Sequence, residues 1–287
     1  MLPEANMDAA PPNSDLANKP WALINLPPFP AVAARILQLL LQENASVKDL
    51  SALVEMDIAF STEILTLANS ALFAFRSEIT SILQASVLLG FERLKAIALT
   101  VGLRSYVRNF LTPGLLGCWR HSLACALISE QIGPACLVER EQAYVAGLVH
   151  DIGRLALATI EPVAYKKLMA EAEEKSIDIL AREEDLFGVD HPEAGKWLAE
   201  QWNLPKLFAD VAALHHSEPA PGEPDMVGVV RVACRLADCI GFPAVCSHRP
   251  AELHEILRAL PRSAASRLNL DHEQLAAMVE TKIKSVE

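Results

Sequence analysis

Residues 146–155 read Ala-Gly-Leu-Val-His-Asp-Ile-Gly-Arg-Leu, a run of small and apolar residues that carries His150 and Asp151. The run predicts a buried helix, and burying an ionised carboxylate beside an imidazole is costly unless something pairs with both. A divalent metal ion does so, because it takes neutral imidazole and carboxylate oxygen as ligands. Neighbouring helical residues point about 100° apart. One cation could therefore contact both side chains if other helices supplied further ligands.

Helical patterns surround this stretch on both sides. The chain has 287 residues, of which 52% are hydrophobic and 21% charged, which fits a globular protein with one large or two ordinary domains. Glycine is scarce, with 12 residues, and apolar side chains recur at helical spacing along most of the chain. No segment is predicted to be a strand. We therefore predict an all-α protein.

The composition divides the chain into three predicted regions: a disordered tail at 1–19, an N-terminal helical lobe at 20–112 and a second helical lobe at 113–287. Proline-rich segments mark the two boundaries, Leu26-Pro-Pro-Phe-Pro30 and Leu111-Thr-Pro-Gly114. In the second lobe, helices are predicted at 141–158, 163–186, about 190–202, 205–216 and 225–240. One or two further helices are predicted at the C-terminus. Predicted helix caps are Ser46 with Asp49, Asp57, Asp190 and Asp271.

Charge and targeting features exclude several classes of protein. The net charge of −11, without a block of Lys and Arg, argues against nucleic-acid binding. No apolar run is long enough to span a bilayer, and the N-terminus lacks the pattern of a signal peptide. The six cysteines are scattered without a Cys-x-x-Cys pair. They predict reduced thiols in a cytoplasmic protein and give little support to a thiolate zinc site.

Further histidines and one acid lie on other predicted helices, from which a helical bundle could direct them at the central pair: His121, His191, His215, His216 and Asp238. Each also has a structural explanation. His121 could be a hydrogen-bonded core residue, and His191 could simply lie in a helix first turn after the cap Asp190. The two histidines at 215 and 216 could favour a helix C-terminus. Asp238 could be a cap or pair with Arg235. The spacing alone therefore supports a metal site only weakly.

A resemblance to a known family strengthens the metal interpretation. The order of His121, the 150–151 pair and Asp238 resembles the signature of the HD superfamily of metal-dependent phosphohydrolases. More narrowly, the chain resembles the HDOD domain, the "HD-related output domain" of bacterial signalling proteins, over about 20–217. The matching phrases are Leu26-Pro-Pro-Phe-Pro-Ala, Asp57-Ile-Ala-Phe, Leu67-Ala-Asn-Ser-Ala-Leu-Phe, Leu89-Gly90, Gly147-Leu-Val-His-Asp-Ile-Gly, Gly188-Val-Asp-His-Pro-Glu-Ala-Gly, Trp202-Asn-Leu-Pro and His215-His216.

This resemblance implies an HD-like helical bundle and a set of metal ligands. By similarity to the HD-GYP cyclic-dinucleotide phosphodiesterases, one ion would be held by His121, His150, Asp151 and Asp238. Asp151 would bridge to a second ion held by His191 and either His215 or His216. The cofactor would be one or two ions of iron, manganese, zinc or nickel. The chain departs from the HD-GYP pattern in two places: the Gly-Tyr-Pro phrase is absent after residue 216, and the phosphate-binding Lys is Arg154.

The resemblance leaves two functions open. HDOD domains have generally been regarded as non-catalytic, which implies a regulatory protein that acts through contacts with other signalling proteins. Leu72, Phe73, Phe75 and Arg76 could form part of a contact surface, although core packing is the alternative for the first two.

The second function is a phosphohydrolase with a nucleotide or cyclic-dinucleotide ligand. In that case Asp151 would hold the catalytic ions, and Arg154, on the same helix face as His150, would clamp a phosphate. The structural alternative for Arg154 is a surface residue paired with an acid such as Glu161.

Overall fold

The computed structural model of the chain describes residues 35, 39, 46–55, 57–73, 77–108, 113–175, 177–217, 225–245, 251–268 and 270–286. Regular structure in these residues is entirely helical, which confirms the all-α prediction. The predicted tail at 1–19, the proline-rich entry at 26–30 and most of the predicted break at 111–114 lie outside the described residues.

Four helices form the described N-terminal part, and their bounds are α1 (Val47–Glu55), α2 (Ile58–Ala68), α3 (Ile82–Leu89) and α4 (Phe91–Arg108). Two of the predicted caps are present here. The Asp49 amide donates to Ser46 Oγ at 3.2 Å while the Ser46 amide donates to Asp49 Oδ2 at 3.2 Å, which makes a reciprocal capping box. Asp57 accepts from the Phe60 amide and begins α2.

The following part of the chain contains the remaining helices. They are α5 (Pro113–Ile132), α6 (Arg140–Val149), α7 (Ile152–Ile160), α8 (Pro162–Glu174), α9 (Ile179–Phe187), α10 (His191–Gln201), α11 (Lys206–Leu214), α12 (Met226–Cys239), α13 (Leu253–Leu257), α14 (Arg262–Ala265) and α15 (His272–Lys284). A short 3₁₀ turn follows α5 at Gly133–Cys136. Asp190 and Asp271 cap α10 and α15 as predicted.

The helix predicted at 141–158 is in fact two helices, with His150 and Asp151 between them. The His150 amide still closes the last turn of α6, but Asp151 has φ −107° and ψ 19°, outside the helical range, and α7 begins after it. The prediction of one continuous helix was wrong because hydrophobic periodicity does not register a bend at two buried polar residues. The break turns both side chains toward the same side of the bundle.

Two further predicted boundaries differ from the structure. The region 163–186 contains α8 and α9, separated where Asp178 caps α9 through the amides of Leu180 and Ala181. The C-terminal region contains three helices instead of one or two, because α13 and α14 are only five and four residues long. Helices this short carry too little periodicity to be recognised.

Buried apolar side chains from both predicted lobes belong to one large hydrophobic cluster. Helix α4 packs against α6 and α7, and a hydrogen bond of 3.1 Å joins Thr100 Oγ1 and the Tyr144 hydroxyl. Within the described residues, one stretch, 140–160, is apolar and long enough to cross a membrane, but 89% of its most apolar window is buried. The core helices of globular proteins pass the same test.

Helices α7 and α10 approach each other closely at two glycines. A Cβ placed on Gly153 would lie 2.0 Å from the His191 carbonyl oxygen and 2.4 Å from the Gly195 amide nitrogen. Only the absence of a side chain at Gly153 allows this separation. The contact brings Asp151, two residues before this glycine, next to His191 at the start of α10.

Candidate metal centre

The structure gathers most of the predicted ligands in one buried cluster. His121 comes from α5, His150 and Asp151 from the α6–α7 junction, and His191 from the start of α10. His215 and His216 follow α11. Neighbouring rings in this series have centroids 4.2–5.4 Å apart, and those of His121, His150, His191 and His215 are at most 4% exposed. The histidines that the sequence placed on separate helices therefore come together at one point in the structure.

Three of the imidazoles are oriented by main-chain carbonyls. The Nδ1 atoms of His121, His150 and His215 lie 2.7, 2.7 and 2.8 Å from the carbonyl oxygens of Phe242, Gly147 and Ala212, respectively. Because a carbonyl can only accept, Nδ1 carries the hydrogen and Nε2 presents its lone pair. Metal-binding histidines in proteins are held in this manner.

Glu183 plays the same part for His191 and was not predicted from the sequence. Its Oε2 accepts from His191 Nδ1 at 2.5 Å and from the His191 amide at 2.9 Å, while its Oε1 accepts from the Tyr165 hydroxyl at 2.8 Å. Glu183 is fully buried. In the sequence Glu183 is the first of three consecutive acids in α9, Glu183-Glu184-Asp185, a pattern that is typical of an exposed helix face.

Asp151 and His215 contain buried atoms without a hydrogen-bond partner. Asp151 Oδ1 lies 3.3 Å from His191 Nε2 and 3.6 Å from His215 Nε2, yet neither Oδ1 nor His215 Nε2 makes a hydrogen bond. Leaving such atoms unpaired in an interior costs about 1–3 kcal/mol each. A cation bound between them would satisfy both, so these residues fit a metal ion.

The charge states in the cluster also suit a cation. Although burial favours the neutral acid, Arg154 and His191 hold the pKa of Asp151 well below its usual value, so the carboxylate is ionised. Burial and the charge of Arg154 lower the pKa of His191. His216 is exposed at the edge of the cluster, and desolvation by the groups around it, with His215 and His191, lowers its pKa to about 3. Neutral His191 and His216 beside this carboxylate are donors that divalent transition metals bind. Although burial favours the neutral ring, Cys234 and Asp151 raise the pKa of His150 to about 9, so this ring must release a proton to bind an ion.

Arg154 is buried at 2% exposure and belongs to the cluster. Its Nε donates to Asp151 Oδ2 at 2.9 Å, one Nη lies 3.0 Å from His191 Nε2, and the other lies 3.7 Å from Glu183 Oε1. The alternative of a surface residue paired with Glu161 is therefore wrong. The guanidinium is directed at protein groups, and the predicted phosphate contact would require it to leave them.

Asp238 lies near the cluster but on the far side of one ring. Its Oδ1 is 3.6 Å from Nδ1 of His121, the nitrogen that also contacts the Phe242 carbonyl. Burial raises the pKa of Asp238 to about 6. Among the described residues, the groups of mutually close ligand atoms contain His121 and His150 together with Cys125 and Cys234 and do not contain Asp238.

Leu72 and Phe73, two residues of the predicted contact surface, are buried at 1% and 6% exposure, which supports the core-packing alternative. Phe75 and Arg76 lie outside the described residues. The described surface instead exposes apolar residues on α3, where Leu83, Val87 and Leu88 are 55%, 72% and 42% exposed.

This helical bundle, with histidines and a carboxylate converging between its helices, is of the HD-domain class. The sequence profile of the HDOD domain matches residues 26–218, which is more than half of the chain, and the chain belongs to the HDOD family. A protein of Treponema pallidum (strain Nichols) is 24% identical over 204 residues, which are 69% of this chain and 39% of that protein. The chain thus spans well under half the length of this relative.

Solved structures share the fold. An HDOD domain protein from Geobacter sulfurreducens is 25% identical, with a TM-score of 0.70 and 91% of each chain covered. A proposed phosphohydrolase from Shewanella amazonensis SB2B is 22% identical, with a TM-score of 0.70, over 93% of this chain and 99% of the other. A proposed signal transduction protein from Marinobacter aquaeolei VT8 is 21% identical, with a TM-score of 0.67, over 91% of this chain and 59% of the other.

Proposed function

We propose that this chain is a metal-binding regulatory protein that acts through contacts with other signalling proteins. The observation that carries the metal part is the arrangement of the imidazoles: four of them are held at Nδ1 by an oxygen, three by main-chain carbonyls and one by Glu183, which directs Nε2 into the cluster. Nε2 of His191 already lies 3.0 Å from an Arg154 Nη and from His216 Nε2, so these groups would have to shift for His191 to bind an ion. Asp151 Oδ1 lies unpaired among these rings. Packing alone gives no reason for this arrangement, whereas a divalent cation does.

The position of Arg154 favours regulation over catalysis. The predicted phosphohydrolase role would direct Arg154 at the substrate phosphate, whereas its guanidinium is buried against Asp151 and Glu183. The positive charge of Arg154 already offsets much of the negative charge of Asp151, the carboxylate to which a second ion would bind. The resemblance in fold to a proposed signal transduction protein agrees with this choice.

The exposed apolar side of α3 is the contact surface that we propose. Helix α3 buries Ile82 and Ala85 but leaves Leu83 and Val87, one turn apart, largely exposed. Exposed apolar groups that adjoin one another commonly mark protein interaction sites. This surface lies in the region predicted as the N-terminal lobe, away from the histidine cluster.

Replacing His150 by alanine is expected to abolish stoichiometric metal binding, because the ring contributes one of the inward Nε2 atoms. The measurement is the metal content of the purified, tag-free protein by plasma mass spectrometry after incubation with iron, manganese, zinc or nickel. His254→Ala is the matched control, since this histidine is exposed, pairs with Glu252 and belongs to none of the candidate metal-binding groups among the described residues. Wild-type protein without any metal under all four conditions would refute the proposed centre.

Replacing Val87 by glutamate is expected to abolish partner binding while metal content and melting temperature stay unchanged, because the side chain is 72% exposed. Binding is measured by quantitative mass spectrometry of proteins retained from an extract of the source organism. Val163→Glu on α8 is the control, since this valine is 81% exposed on another surface. The Asp151→Ala variant should still retain the partner in the same assay, because Asp151 lies in the histidine cluster and not on α3. Equal retention by wild type and Val87→Glu would contradict the proposed surface.

A metal-dependent phosphohydrolase is the second candidate, and the unpaired Asp151 Oδ1 facing a cleft favours it. A bound divalent cation lowers the pKa of a bound water to about 7. Asp151 and the inward histidines would hold it, and Arg154 would have to turn from Asp151 to a substrate phosphate. Hydrolysis of bis(p-nitrophenyl) phosphate or a cyclic dinucleotide by metal-loaded wild type, lost in Asp151→Asn, would establish this activity in place of the non-catalytic role.

A further inference from the structure

Two cysteines join two of the histidines in a compact group. One ring nitrogen from each of His121 and His150 and the Sγ atoms of Cys125 and Cys234 all lie within 4.8 Å of one another. His121 Nε2 and Cys125 Sγ are 3.4 Å apart. Two imidazole nitrogens and two sulfurs thus face one small volume.

The positions of these residues in the fold explain their convergence. Cys125 follows His121 by one turn of α5, so both lie on the same face of that helix. Cys234 is presented by α12, and His150 by the end of α6, and both helices pack on α5. The Nδ1 contacts to Phe242 and Gly147 fix the two rings with Nε2 toward the sulfurs. The group is therefore built from three helices and held by main-chain atoms.

We infer that His121, Cys125, His150 and Cys234 form a Cys₂His₂ site for one Zn²⁺ ion. Zinc binds such nitrogen and sulfur ligands in a tetrahedron, with Zn–S about 2.3 Å and Zn–N about 2.0–2.1 Å. These lengths place neighbouring ligand atoms roughly 3.4–3.8 Å apart, which small side-chain adjustments would achieve from the present positions. Binding replaces the two S–H bonds by Zn–S bonds and releases both protons to solvent. The inference rests on the proposed metal centre, with which it shares His121 and His150, and it does not use the unpaired atoms of Asp151 and His215 in the other half of the cluster.

The surrounding charges favour the thiolates over the nearby carboxylates. Asp151 Oδ2 already accepts from Arg154, so this carboxylate has a countercharge of its own. Asp238 lies on the Nδ1 side of His121, opposite the nitrogen that faces the sulfurs. Two thiolates neutralise the two charges of Zn²⁺ where His121 and Cys125 are 4% and 0% exposed. The buried site would then carry no net charge, which limits the cost of desolvation.

An ion can reach this group from outside. A cleft is lined by His121, His150, Cys234 and Asp238, together with Ala244 and Val245 from the segment after α12. Cys234 is only half-buried, in contrast with Cys125. The half-buried thiol would be the first ligand met by an incoming cation, and the three buried groups would complete the tetrahedron.

Cobalt substitution tests the ligand set directly. The full chain is stripped with chelator under reducing conditions and titrated with Co²⁺, which replaces zinc and reports its ligands by absorption. We expect one cobalt per chain, with thiolate-to-cobalt charge-transfer bands and the intense visible bands of a tetrahedral ion. Cys125→Ser and Cys234→Ser should each remove about half of the charge-transfer intensity per bound cobalt. Cys136→Ser, a free cysteine outside the group, is the matched control and should change nothing.

The outcomes separate this inference from the proposed metal centre. Cobalt that binds without thiolate bands, and is lost in Asp151→Asn, would overturn the Cys₂His₂ site and leave the metal centre standing. No cobalt binding at all would refute both. If a serine variant fails to fold, X-ray absorption of zinc-loaded wild type decides the matter, since a sulfur shell at about 2.3 Å is expected. A shell of nitrogen and oxygen alone would overturn the inference.

Discussion

Gly153→Ala is expected to destabilise the protein by more than about 3 kcal/mol or to prevent folding. The new methyl group would lie 2.0 Å from the carbonyl oxygen of His191 and 2.4 Å from the amide nitrogen of Gly195. Both are backbone atoms of α10, so no side-chain rotation can make room and the whole helix must move away from α7. The measurement is the free energy of unfolding from urea denaturation followed by circular dichroism.

Gly117→Ala provides the control for this prediction. Gly117 lies within α5, and a Cβ at this position would meet nothing within 4 Å. Alanine has the higher helix propensity, so this variant should be stabilised by up to about 1 kcal/mol. If Gly153→Ala unfolds at the same urea concentration as wild type, the close approach of α7 and α10 does not exist in solution.

Arg154→Met is expected to lower the free energy of unfolding by about 3–5 kcal/mol. The guanidinium is the cationic partner of two buried carboxylates, Asp151 at 1% and Glu183 at 0% exposure. Methionine keeps much of the side-chain volume but leaves both acids without that partner, and removing one member of a buried ion pair is strongly destabilising. Urea denaturation should be carried out in chelator, because a bound cation would replace part of the lost charge.

Arg182→Met tests whether burial is the reason for this effect. Arg182 also pairs with two acids, Asp185 and Glu171, but its side chain is 40% exposed. Exposed pairs contribute about 0–1 kcal/mol, so this variant should unfold close to wild type. Equal losses in the two variants would show that the buried pair has no special contribution.

The helical fold could be predicted from the sequence because apolar side chains recur at helical spacing along the chain and several helices carry a side-chain cap. Asp57, Asp190 and Asp271 all accept from the amide three residues later, as their positions indicated. The breaks inside apparently continuous helices could not be predicted. At 150–151 the bend is fixed by contacts with other helices, which local propensity does not contain.

The candidate site could be predicted in part. The family pattern indicated the histidines that the structure brings together. Glu183 was missed because its role depends on the turn at Gly188–Asp190, which brings His191 at the start of α10 against α9. Cys125 and Cys234 were set aside because zinc-site motifs are recognised by short spacing, whereas here a His-x-x-x-Cys pair on one helix meets ligands from two others. The sequence feature that could have indicated this group is the interval of four residues between His121 and Cys125, which places both on one face of a helix.

The anchoring of the rings by main-chain oxygens has a consequence for how this site can change during evolution. Three imidazoles depend on carbonyls at positions 147, 212 and 242, and every amino acid supplies a carbonyl. No single substitution at those positions deletes the acceptor. His191 depends on the side chain of Glu183, and one codon change can remove it. A single side-chain substitution can therefore remove the group that orients His191. The carbonyls that orient His121 and His150 would remain after that substitution.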